Sequence, residues 1–148
     1  MKINKTSLLF CLLLVLFVGV NLKAQDSIII NNAYVSSLAS RVVIVRDQFV
    51  QQSVNSIIQA RGEILSIDRR GKFNRQFRLK VRDTASDRHG IDIIYYIYLN
   101  RDDTFEMLNA GMSYEFNGQV LFATPLNSAR TSFGYGVLLG EGAILIGE

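Results

Sequence analysis

Three segments of the chain place apolar residues at every second position, and that period decides most of what such a chain can fold into. In the first, Phe77, Leu79 and Val81 alternate with Arg78, Lys80 and Arg82. In the second, Ile91, Ile93, Tyr95, Ile97 and Leu99 share one face, and Asp92, Ile94, Tyr96 and Tyr98 share the other. In the third, Tyr114, Phe116, Gly118, Val120 and Phe122 alternate with Glu115, Asn117, Gln119 and Leu121. Successive side chains of a strand point to opposite faces, so each segment reads as a strand with one side in a core. The first two flank the turn-rich stretch Asp83-Thr84-Ala85-Ser86-Asp87-Arg88-His89-Gly90 and are expected to pair as an antiparallel hairpin.

Two more strands are expected around these. Ile57 to Ile67 alternates less regularly, and Gly62 in its middle predicts a bulge or a tight bend. Tyr135 to Gly147 carries Gly136, Gly140 and Gly142, which suit a strand that curls around a barrel. Ahead of the strands, Val35, Leu38, Val42, Val45 and Phe49 fall at steps of three and four, a helical stripe. The β-branched run Val42 to Val45 pulls the other way. Asp102 to Asn109 reads as two helical turns, with acids at the start where the helix dipole favours them and Ala110-Gly111 past the end. Five strands with a helix between the third and fourth is the layout of the OB-fold, a small partly open barrel. The expected fold class is therefore mainly β: a five-stranded OB-fold-like barrel with an N-terminal helix and a short helix between strands 3 and 4.

The stretch ARGEILSI at residues 60–67, FRLKV at 77–81 and LNAGMSYEFNGQV at 108–120 resembles the small exported bacterial OB-fold proteins whose barrel is similar to the anticodon-binding domain of tRNA synthetases. The resemblance covers Val54 to Glu148. It implies the fold and leaves the ligand open, because one barrel serves many functions. The late cysteine of some such families is absent, and the N-terminal helix is an addition.

Residues 1–24 read as a cleavable signal peptide: Lys2 and Lys5 form a positive start, Leu8 to Val20 an apolar core, and Ala24 the small residue before a cut at Gln25. Those thirteen apolar residues would reach only about 20 Å as a helix, against a hydrocarbon core of about 30 Å. A lipid anchor needs a cysteine directly after the apolar core, whereas Cys11 lies within it. The expected division is 1–24 signal peptide, 25–56 N-terminal helical segment and 57–148 barrel, with no membrane span after cleavage and a destination in the periplasm or outside the cell.

Removing that leader takes away Lys2, Lys5 and Lys23, the whole net charge of +3, and with it the single cysteine. What remains is neutral and thiol-free, so no disulfide, thiolate metal site or thiol chemistry is available to it. Its charge is unevenly spread: residues 61–88 carry nine Arg/Lys against four Asp/Glu, and residues 92–148 carry two against seven.

The first candidate site follows from that asymmetry. Arg69, Arg70, Lys72 and Arg75 precede the strand that carries Arg78, Lys80 and Arg82, with no acid between residues 69 and 82. In a hairpin, Tyr96 and Tyr98 share the outer face of those cations. The second and third strands and the first loop commonly form the ligand surface of an OB-fold, where cations grip an anion and rings stack. Single-stranded nucleic acid is the obvious ligand for such a face, but export disfavours it and points to an anionic glycan, a lipid headgroup or a protein partner. The competing reading is a solvated strand face, with Arg82 paired to Asp92 and Arg78 lying across Tyr96.

A second cluster, Asp83, Asp87, His89 and Asp92, lacks the spacing of a calcium loop and reads as turn chemistry, and Asp102, Asp103 and Glu106 read as helix capping. No metal and no cofactor is expected. With no nucleophile elbow, zinc-binding His pair or phosphate-cradling loop, catalysis is not expected either. The resulting expectation is an exported non-enzymatic binding module for a protein partner or an anionic ligand. Its alternative is an envelope assembly protein that joins another chain's sheet through Gly142 to Ile146.

Overall fold

In a computed structural model of the chain, the described residues are 27–68, 77–86, 89–99, 108–139 and 146–147. The leader, the 69–76 loop and the expected short helix (all of it but Leu108 and Asn109) lie outside them. Among the described residues the order is β1 (Ser27–Ile29), α1 (Asn32–Ser40), α2 (Val43–Gln51), β2 (Ile57–Asp68), β3 (Phe77–Asp83), β4 (Asp92–Leu99), β5 (Ser113–Pro125), β6 (Ser132–Leu139) and β7 (Ile146–Gly147).

β2, β3 and β4 form an antiparallel meander, β4 pairs in parallel with β6, β6 pairs antiparallel with β5, and β5 returns to β2. That circuit closes a five-stranded barrel of OB-fold type, as the strand order in the sequence predicts. Two short strands extend it: β1 pairs in parallel with β2, and β7 pairs with Tyr114 and Glu115 of β5. The end of the expected last strand therefore adds to its own chain's sheet, while residues 140–145 lie outside the described residues.

The alternating positions fill the barrel. Leu79, Val81, Ile93, Tyr95, Ile97, Phe116, Val120, Phe133, Tyr135 and Val137 are each at most 2% exposed. Tyr95 meets Phe116 edge to face, with ring centroids 5.0 Å apart, an arrangement the ring quadrupoles favour.

β2 changes partner at Gly62, which is opposite Tyr114 of β5 on one side and Asp83 of β3 on the other. A Cβ there would lie 2.4 Å from the Arg82 carbonyl oxygen and 2.5 Å from Val81 Cγ1, so only glycine fits. The bulge of β2 falls after Gly62, between Ile64 and Ser66, and leaves Leu65 exposed.

The single N-terminal helix expected from the stripe is in fact two. α1 ends at Ser40, and Arg41 is extended with φ −76° and ψ 147°. Val35 and Leu38 are buried, whereas Val42, where the stripe breaks, is 67% exposed. Arg46 holds the corner: its guanidinium donates to the carbonyls of Ala39, Arg41 and Arg130 at 2.8, 3.1 and 3.1 Å, satisfying helix-end acceptors. Asn31 caps the other end of α1 by accepting from the N–H groups of Ala33 and Tyr34. Val35, Leu38 and Val50 join the barrel core, and the Tyr34 hydroxyl sits 2.9 Å from that of Tyr135. The helical pair is thus part of the same core.

Candidate ligand-binding face

The β3–β4 register sets each outward residue of one strand against an outward residue of the other. Lys80 is opposite Tyr96, Arg78 opposite Tyr98 and Arg82 opposite Ile94. Leu79 and Val81 occupy the core, so Lys80 and Arg82 take the outer side; Lys80 is exposed, and Tyr96 and Tyr98 are half-buried. Arg78 holds the same phase by its register position.

Arg82 pairs with Asp92 at 2.9 Å, as the solvated-face reading anticipates. Both side chains are more than a third exposed, so the pair contributes little to stability, about 0–1 kcal/mol, but it offsets one of the three positive charges of β3. In the backbone register Arg78 is opposite Tyr98. Of the nine residues in the basic, aromatic strip, the structure brings Lys80, Arg82, Tyr96 and Tyr98 together and places Arg78 beside them by register. Arg69, Arg70, Lys72 and Arg75 lie outside the described residues.

The carboxylates of the second cluster part company. Asp83 is buried inside the barrel, where its carboxylate accepts from the Tyr95 hydroxyl and the Ala85 N–H, both at 2.7 Å. Burial raises its pKa, and the two hydrogen bonds pull it partly back. Asp92 belongs to the outer face, His89 is exposed, and Asp87 lies outside the described residues. Among the described residues no group of three His, Cys, Asp or Glu side chains is placed to hold a metal ion.

The outer face extends further than the sequence suggests. β5 slips register between Val120 and Phe122, so Phe122, expected in the core, is 38% exposed, and Ala123 takes the buried position. Gly136 of β6 stands between Tyr96 on β4 and Phe122 on β5. The Phe122 ring lies so close over it that a Cβ on Gly136 would fall 2.1 to 2.6 Å from three ring carbons. One rung along, a Cβ on Gly134 would meet Leu126 at 2.9 Å and Tyr96 Cε2 at 3.1 Å. The two glycines leave β6 without side chains where rings from both neighbours cover it. The signal for this was the adjacent apolar pair Leu121-Phe122, which breaks the alternation.

Fold and face together define a closed OB-fold-like barrel with cations and aromatic rings on the outer side of β3 and β4 and a further ring, Phe122 of β5, laid over β6. No protein-family model matches the chain, and no curated protein does. Among solved structures, the chain is similar to a protein from Klebsiella pneumoniae subsp. pneumoniae provisionally described as a nucleic acid-binding lipoprotein, with a TM-score of 0.47 and 11% identity over 83% of this chain and 92% of that one. It is also similar to a protein from Leishmania major Friedlin provisionally described as an aspartyl-tRNA synthetase, with a TM-score of 0.44 and 14% identity over 88% of this chain and 22% of that one.

Proposed function

We propose that this chain is an exported, non-enzymatic binding module whose β3–β4 face takes an anionic partner. The observation that carries the reading is the register: Lys80 stands directly across from Tyr96, and Arg78 directly across from Tyr98. A cation beside a half-exposed ring offers a charge and a flat apolar surface to the same ligand. Export rests on the leader, and the absence of enzymatic motifs supports binding over catalysis. No helix among the described residues is long and apolar enough to cross a membrane.

Binding of the exported product to immobilised anionic polymers, measured at several salt concentrations, tests this. Binding is expected to weaken as salt rises, and Lys80→Glu is expected to cost about tenfold in affinity by reversing one charge at the contact. Binding that ignores both salt and the charge reversal would leave the envelope-assembly alternative. N-terminal sequencing of the same product should begin at Gln25, and a retained leader would overturn the export reading.

A further inference from the structure

We propose that Phe122 and Tyr96, laid over the glycines of β6, form a stacking platform for the sugar rings of an acidic polysaccharide. The inference rests on the binding role proposed above and names its ligand class.

A phenylalanine that merely fills space would stay inside the barrel, where the alternation of β5 would otherwise place it. The register slip carries it outside instead, and Gly136 receives it. One side of the ring is then held by backbone, while 38% of the residue stays open to solvent. A ring fixed from below loses little freedom when a ligand covers it from above, which is what makes a platform effective. Tyr96 supplies a second ring two strands away, about 10 Å across the sheet at the usual strand spacing.

The chemistry around the rings selects the ligand. Lys80 and Arg78 are opposite Tyr96 and Tyr98, but Arg82 is paired with Asp92, and the Asp92 carboxylate also lies 3.4 Å from the Ser132 hydroxyl. On the β5 side, Asn117, Gln119 and Thr124 hold the outward phase and bring amide and hydroxyl groups, and Glu115, further along the strand from Phe122, accepts from the Gln59 amide. Among the described residues, the surroundings of the two rings combine few cations, the Asp92 carboxylate and uncharged polar groups, which suits a polymer that carries many hydroxyls and occasional carboxylates. A phosphodiester chain, with a charge on every unit, would meet the Asp92 carboxylate, which already engages Arg82. The C–H faces of a sugar ring are apolar and slightly positive, so they pack against the negative face of an aromatic ring.

The test is titration of the exported chain with hyaluronate, which carries a carboxylate on every second sugar, with uncharged dextran and with a single-stranded DNA oligonucleotide. Hyaluronate should bind best, and Phe122→Ala should weaken it about tenfold, the scale on which stacking surfaces act. Phe122→Leu keeps an apolar cover on Gly136 but removes the flat ring; it should retain the parent's melting temperature and still lose the binding. If Lys80→Glu weakens binding while both Phe122 variants bind like the parent, the β3–β4 face stands and the platform falls. If none of the three variants has an effect, both readings fail. Preferential binding of the oligonucleotide would overturn the sugar assignment.

Discussion

Replacing Gly62 with valine is expected to do more damage than any surface substitution in the barrel. Gly62 is the residue at which β2 hands over from β5 to β3, and its missing side chain lets the Arg82 carbonyl approach to 2.4 Å of where a Cβ would be. Backbone cannot swing aside as the tip of a long side chain can, so the added atoms must push β3 away from β2. Overpacking of this kind costs about 1–3 kcal/mol, sometimes more, out of a total of about 5–15 kcal/mol for a domain. A fall in melting temperature of about 5 °C or more, followed by far-ultraviolet circular dichroism, is the expected reading. The alanine variant should lose less. If it were as stable as the parent, the close approach of the two strands would not be what requires glycine.

The second large effect concerns Asp83 and Tyr95. The hydroxyl of Tyr95 donates to Asp83 at 2.7 Å inside the barrel, and burial pushes the tyrosine pKa well up, with the Asp83 charge adding to it. Tyr95→Phe removes the donor and leaves a buried carboxylate oxygen short of a partner, at a cost of about 1–3 kcal/mol. The pH dependence follows from the raised pKa of Asp83. Below the ordinary carboxylate range both folded and unfolded chains hold the proton, and the full stability is present. As pH rises, the unfolded chain releases the proton first, and the folded chain does so only at its higher pKa. Stability from this residue therefore falls with rising pH across that window and stays lower above it. Chemical denaturation of the parent and Asp83→Asn from pH 3 to 7 should show the parent's advantage over the variant shrinking as pH rises. A difference that does not change with pH would mean that Asp83 titrates as it does in the unfolded chain.

What the sequence made legible was local. A period of two needs only neighbouring residues, so the inward positions Leu79, Val81, Ile93, Tyr95 and Ile97 and the outward position of Lys80 were readable, and with them the strand order of the barrel. Features that depend on distant partners were not. The break after α1 is held by Arg46 reaching back to Ala39 and across to Arg130, and nothing in a stripe of valines announces that corner. Asp83 looked like a turn residue, because an aspartate before Thr-Ala-Ser usually is one; its role as the next inward position after Val81 depends on Tyr95, twelve residues further on. Phe122 was misplaced because one extra residue in β5 reverses the phase of all that follow. The candidate face was therefore legible on β3 and β4, where alternation is unbroken, and illegible on β5 and β6, where a bulge and two glycines shape it.

The parallel pairing of β4 with β6 also determines when the fold can be completed. β2, β3 and β4 are consecutive and can pair as they emerge from the ribosome, but the gap between β4 and β5 stays open until Leu139 of the 148-residue chain has been made. Such non-local closure is slow compared with hairpin formation. Until β6 is made, the edges of β4 and β5 that it joins stay unpaired, so the barrel core is sealed by the last of its five strands rather than built up strand by strand.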